Sequence, residues 1–172
     1  EGTQPLSSLA SLSQLCVLDL TVHNAPKGQE LPCGLSTLSA LTALSLTATG
    51  GMFSAPSHLR LPWAWCQVLV QVTSLLLDGV DLPRLEQHNS SSSSSSSSSA
   101  GGSRHILPAM QQLQLNNPTD RLAHVPIGCC PALETLTVDN GRFSTADWAA
   151  LSTATQLHTL MLAGCSMDEV SE

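Results

Sequence analysis

Six histidines (His23, His58, His88, His105, His124, His158) and six cysteines (Cys16, Cys33, Cys66, Cys129, Cys130, Cys165) are the side chains best suited to acid–base, nucleophilic or metal chemistry. Their spacing supports none of the three. There is no HExxH, no CxxC and no calcium-loop pattern, so no metal is expected. Serine is abundant, but no GxSxG elbow presents one as a nucleophile, and no histidine has a neighbour that would fix it as a base. Neither GxxxxGK[ST] nor GxGxxG occurs, so no loop is built to cradle a nucleotide phosphate. The chain is expected to be no enzyme and to carry no cofactor. The cysteines are even in number but dispersed, and Cys129 and Cys130 read as small residues filling a turn. Reduced, partly buried thiols and a cytoplasmic location are the expectation.

Recognition is what remains, and composition limits its kind. The chain has 172 residues, six Lys plus Arg against thirteen Asp plus Glu, and a net charge of −7. A phosphate backbone needs clustered positive charge, so nucleic acid is not an expected partner. No run approaches the 18 apolar residues of a membrane span. The length suits a single domain, here taken as 1–172, and excludes a complete eight-stranded α/β barrel. Hydrophobic residues make up 42% and aromatic ones only 3%, with no tyrosine, and the mean hydropathy is +0.12. The core must therefore be mainly aliphatic. The start at Glu1 reads as a fragment or a processed chain.

The elements that could position a recognition surface come from a repeat. The pattern apolar-x-x-apolar-x-apolar occurs at 15–20 (LCVLDL), 41–46 (LTALSL), 72–77 (VTSLLL), 110–115 (MQQLQL), 133–138 (LETLTV) and 157–162 (LHTLML), at spacings of 26, 31, 38, 23 and 24 residues. Its second half is a short strand whose two apolar side chains point to one face. One such strand buries too little to hold itself, so successive units must stack with strands in parallel over a shared apolar column. Return segments are expected around Leu31, Leu35 and Leu38, around Val68 and Leu69, around Ile106 and Leu107, and around Trp148 and Leu151. Apolar residues three or four apart in the first and last of these, and adjacent apolar pairs in the other two, read as short helices or single turns. Pro32, Pro108 and Pro126 could start such turns, and Ser144 or Asp147 could cap the one containing Trp148.

This pattern resembles the leucine-rich-repeat family, most clearly in LPCGLSTLSALTALSL at 31–46, and the resemblance runs from about Leu6 to Cys165. It implies an α/β solenoid, a horseshoe with short parallel strands on the concave face and short helices or turns on the convex face. The family places Asn or Cys three residues after the last apolar position. Here those positions hold His23, Thr49, Val80, Pro118, Gly141 and Cys165, so only Cys165 matches, with Asn24, Asn117 and Asn140 one residue away. The repeats are degenerate.

The residues interleaving the buried ones would form the docking surface. Asp19, Thr21, Asp78, Gln112, Gln114, Asn116, Thr137, Asp139 and Met161 are the candidate partner-binding residues. The surface is rich in hydroxyls and amides, carries three carboxylates and has no Lys or Arg, which suits a protein partner with a basic or polar segment. Six strands at about 4.8 Å and three residues at about 3.3 Å give roughly 240 Å², short of the roughly 800 Å² per partner of a standard interface. Adjacent loops must contribute.

Two departures from the repeat length read as insertions. Residues 50–66 concentrate Met52, Phe53, Trp63 and Trp65, and Trp63 and Trp65 are candidates either for covering the column or for a binding hot spot. Residues 88–104 contain the uninterrupted run Ser90 to Ser99, which buries nothing and is expected to be a disordered loop. The resulting expectation is a non-catalytic protein-interaction scaffold. Its rivals are the substrate-recognition fragment of a larger assembly, such as a ubiquitin-ligase receptor, a cytoskeletal or axonemal adaptor or an immune-type sensor, and a structural spacer.

Overall fold

The computed structural model describes residues 11–24, 29–31, 37–50, 59–61, 65, 69–81, 107–117, 127, 130–143 and 145–167. The eleven strands among them are β1 (Val17–His23), β2 (Gln29–Glu30), β3 (Ala43–Thr49), β4 (Leu59–Arg60), β5 (Ser74–Asp78), β6 (Val80–Asp81), β7 (Gln112–Asn116), β8 (Thr135–Asp139), β9 (Arg142–Phe143), β10 (Thr159–Ala163) and β11 (Ser166–Met167). One helix, α1 (Thr145–Ser152), lies between β9 and β10.

Six strands form one parallel sheet in the order β1-β3-β5-β7-β8-β10, so each strand pairs with the next unit along the chain. Side chains alternate across a strand, and the apolar pairs Leu44 and Leu46, Leu75 and Leu77, Leu113 and Leu115, and Leu136 and Val138 are all buried on one side. Their registers coincide, Leu44 with Leu75, Leu75 with Leu113 and Leu113 with Leu136. The column therefore stacks like on like. Each fully buried leucine contributes about 1.5–3 kcal/mol, repeated from unit to unit. The leading apolar residues Leu41, Val72, Met110 and Leu133 enter the same core from the turn before the strand.

Parallel pairing starts from a shared carbonyl. Thr42 and Ala43 both donate their N–H to the Cys16 carbonyl, and Thr73 and Ser74 both donate to that of Thr42. Gln111 and Gln112 then use Thr73, Glu134 and Thr135 use Gln111, and His158 and Thr159 use Glu134. At the other end of the strand the donation reverses, with Gly79 N–H to the Asn116 carbonyl, Asn117 to Asp139, and Asn140 to Ala163. The pairs β5–β7, β7–β8 and β8–β10 are thus clamped at both ends, which fixes the register that a repeating side-chain pattern alone would leave free to slip.

Behind the main sheet run two smaller parallel ladders, β2-β4-β6 and β9-β11. Two-residue strands carry no periodicity a sequence can show. Part of the stretch 50–66 belongs to this layer, since β4 pairs with both β2 and β6, and Leu59 and Leu61 are buried. The return segments place Leu31, Leu38, Leu69, Leu107 and Leu151 in the core. Leu35, Val68, Ile106, Trp63, the run 88–104, Pro32 and Pro126 lie outside the described residues. Asp147 sits inside the first turn of α1, not ahead of it, and is buried. A carboxylate there meets the positive end of the helix.

Two expectations need correction. Trp65 is 0% exposed and belongs to the core cluster, so it cannot meet a partner. An indole offers more apolar area than any other side chain, and here the aliphatic column takes it. The last triplet is also not buried: Leu160 is 42% and Leu162 36% exposed, with Leu157 half-buried. β10 is the terminal strand of the sheet, so its leucines are covered from one side only.

Candidate partner-binding face

The polar residues of the sheet form rows across the strands. One row runs Asp19, Ser45, Leu76, Gln114, Thr137 and Met161, and the next runs Thr21, Thr47, Asp78, Asn116, Asp139 and Ala163. Gln112 lies in a third row, level with Ser74 and Thr135. Asp19, Thr21, Gln112 and Met161 are exposed, whereas Asp78, Gln114, Asn116, Thr137 and Asp139 are half-buried. All nine project from the side of the sheet opposite the leucine column, because each alternates with a column residue along its strand.

Within this face the carboxylates are unevenly placed. Asp78, Asn116 and Asp139 are consecutive in register, so two carboxylates flank one amide at a separation of about 10 Å. Asp19 lies apart on β1 and accepts a hydrogen bond from Ser45 Oγ at 2.9 Å. Gln114 Nε2 donates to Asn116 Oδ1 at 3.3 Å, holding both amides in the face. The six strands contain no Lys or Arg, and Arg60 and Arg142 stand on β4 and β9 of the smaller ladders. The negative field is therefore densest where β5, β7 and β8 end.

The turns there contain residues that repeat spacing alone did not select. Gly79, Asn117, Asn140 and Gly164 directly follow β5, β7, β8 and β10, and all have positive φ, between 50° and 64°. Asn117 Nδ2 donates to Asp78 Oδ1 at 2.9 Å, and Asn140 Nδ2 donates to Asn117 Oδ1 at 3.0 Å. The signal was present in the sequence as an Asn or Gly immediately after each of these strands, the types that tolerate a left-handed turn. At the other end of the face His23 Nδ1 is 2.7 Å from Thr49 Oγ1, a second side-chain pair between neighbouring units. Cys165 directs its thiol to the Val138 carbonyl at 3.5 Å and the Ala163 carbonyl at 3.3 Å. That links one unit to the backbone of the unit before it.

Among the described residues no group of three or more His, Cys, Asp or Glu side chains could hold a metal ion. No helix among them is long and apolar enough to cross a membrane. A shallow open depression lined by Pro131, Ala132, Glu134 and Gln156 brings together no catalytic set.

Register, stacked leucines and reciprocal backbone clamps are features that can be compared with other solved structures. An internalin (inlF) from Listeria monocytogenes superposes with a TM-score of 0.60 at 14% sequence identity, over 96% of this chain and 40% of that one. The fold is leucine-rich-repeat-like. This repeat-like chain thus spans 40% of the length of the internalin structure it matches. No family model and no curated protein matches the sequence.

Proposed function

We propose that the protein is a non-catalytic interaction scaffold that binds a protein segment on the outward face of its six-stranded sheet, taken as the concave side of a horseshoe. The observation that carries this reading is the one-sided distribution of charge. Asp19, Asp78 and Asp139 project from a sheet without Lys or Arg, two of them in register around Asn116. A partner with basic side chains would find acceptors already held by the sheet and by the Asn117 bond, so little ordering cost falls on this side. Asp19, Thr21, Gln112, Gln114, Thr137 and Met161 would supply the surrounding polar and apolar contacts. Trp63, outside the described residues, keeps its place as a candidate, while Trp65 is excluded by its burial.

A cytoplasmic setting goes with this reading, since the six cysteines are dispersed along the chain without a disulfide-framework spacing.

The test is binding of a fluorescent polyproline-II peptide with two arginines three residues apart, which stand on one side of the peptide about 9 Å apart, close to the spacing of Asp78 and Asp139. Binding should weaken as salt rises, an acidic peptide of the same length should not bind, and the double variant Asp78→Lys, Asp139→Lys should lose at least tenfold in affinity. Equal affinity of variant and native protein would reject the site.

A further inference from the structure

Asn140 is the one asparagine of the chain that is followed by glycine. Asn24, Asn117 and Asn140 directly follow β1, β7 and β8 in the left-handed region, with φ of 55°, 50° and 59°. Their successors differ in chemistry. Ala25 carries a side chain beside its amide nitrogen, Pro118 has no N–H, and Gly141 has the N–H and no side chain. Only the last pair leaves a side-chain amide open to attack by an unhindered backbone nitrogen. Packing keeps that pair in place, since a Cβ added at Gly141 would lie 2.5 Å from Val138 Cγ1.

We propose that Asn140 is a site of spontaneous deamidation, and that its conversion to a carboxylate breaks the side-chain ladder Asp78, Asn117, Asn140 that joins three units. Solvent base takes the proton of the Gly141 nitrogen, which attacks Asn140 Cγ. The new N–Cγ bond closes a five-membered imide, the Cγ–Nδ2 bond breaks, and the nitrogen takes up a proton and leaves as ammonia. Water then opens the imide at either carbonyl, and Asn140 is exposed to it. One opening gives aspartate. The other gives isoaspartate, whose backbone runs through Cβ and Cγ and is longer by one atom. No oxidant or reductant takes part.

The ladder both restrains the reaction and cannot survive it. Nδ2, the leaving group, donates to Asn117 Oδ1 at 3.0 Å, and that bond is lost when the nitrogen departs. Asn117 already spends its own Nδ2 on Asp78 Oδ1 at 2.9 Å. A carboxylate at 140 offers only acceptors, so it meets Asn117 Oδ1 acceptor to acceptor, and turning the Asn117 amide over moves the mismatch to Asp78. Isoaspartate also disturbs the backbone. Asn140 N–H is bound to the Ala163 carbonyl and the Gly141 carbonyl to Ser166 N–H, so the extra atom falls between two fixed bonds. Asp78 and Gly79, at the other end of the ladder, form a related pair with a different fate. There the Gly79 N–H donates to the Asn116 carbonyl, and Asp78 has no amide nitrogen to expel.

Native protein held at pH 8.5 and 37 °C should gain about 1 Da in mass, and peptide mapping with an isoaspartate-specific methyltransferase should assign aspartate and isoaspartate to position 140. The more acidic product, separated by ion exchange, should melt below the unreacted protein by circular dichroism. Asn117→Gly keeps the turn and frees the Asn140 amide, so deamidation there should run about two- to tenfold faster, the factor by which loss of one such bond releases the side chain. Asn140→Gln, too long to close the same ring, should stay unmodified at 140. A native chain intact at position 140 after four weeks, reaction confined to Asn24 or Asp78, an acidic product that melts like the unreacted protein, or an Asn117→Gly variant no faster than native would each overturn the proposal. None of these readouts depends on a bound peptide.

Discussion

Asn140 donates from Nδ2 to Asn117 Oδ1 at 3.0 Å, across neighbouring units whose sequence positions lie 23 residues apart. Both residues are in the left-handed region, with φ of 59° and 50°. Asn117 passes the interaction on to Asp78, so three successive units are joined by side chains as well as by backbone. Asparagine does two jobs here. It tolerates the turn, and its amide both donates and accepts, which lets the ladder continue through it.

Replacing Asn117 separates those jobs. Asn117→Gly keeps the turn and loses the side-chain bonds, which at an exposed site costs about 0.5–1.5 kcal/mol per bond. Asn117→Ala loses the same bonds and adds about 1–2 kcal/mol for a Cβ in the left-handed region. Urea denaturation should therefore rank native above Gly above Ala. An alanine variant as stable as the glycine variant would show that the backbone relaxes and that φ is not held by the turn.

A second prediction concerns Gly164, where φ is 60° and an added Cβ would collide with Asn140 Oδ1. The end of the ladder thus occupies the space a side chain would need. Gly164→Ala should destabilise by about 1–3 kcal/mol, since strain in the turn and the clash act together. Adding Asn140→Gly removes the clashing oxygen. The double variant should then fall short of the sum of the two single losses, in a double-mutant cycle read by denaturant midpoint. Strict additivity would mean that Asn140 exerts no steric pressure on position 164.

The inward leucines of the central units were legible in the sequence because a side-chain period of two and a stacked column demand the same residues twice. Leu75 and Leu77 satisfy the strand pattern and also lie between the pairs Leu44 and Leu46 and Leu113 and Leu115. Leu160 and Leu162 obey the same pattern but end on the open side of β10, because spacing reports which face a residue takes and not whether a neighbour covers it. The outward direction of Asp78 and Asp139 follows from spacing as well. Their bonding does not, since the Asn117 contact spans 39 residues and depends on how the units stack. Trp65 misled for a related reason. It shares the core with Leu59 of the two-residue strand β4 and with Leu61 just after it, and so short a strand leaves no period to read.

Burial makes Trp65 a stability residue. Trp65→Ala opens a large apolar cavity and should cost about 3–5 kcal/mol. For a chain of this size that lowers the melting temperature by about 2–4 °C for each kcal/mol. Trp65→Phe, which refills part of the space, should recover much of the loss. If Trp65→Ala melted like the native protein and only peptide binding suffered, the indole would have to be outside the core.

Trp148 presents the opposite problem, a polar atom left unsatisfied. Its ring packs against Phe143 with centroids 5.2 Å apart and planes tilted by 31°, while Nε1 is buried without a hydrogen-bond partner. The ring contact contributes about 0.5–1.5 kcal/mol beyond area burial, and the orphaned N–H costs about 1–3 kcal/mol. Those two ranges overlap, so the substitution must keep the first and remove the second. Trp148→Phe does so at the expense of some apolar area on a half-buried side chain. Thermal and urea unfolding should find the Phe variant equal to the native protein or more stable by about 1 kcal/mol. Trp148→Ala, which loses the Phe143 contact as well, should be the less stable of the two by about 2 kcal/mol or more. A clear loss of stability in the Phe variant would show that the indole N–H is satisfied in solution, and that its bond is worth more than the strain of burying it.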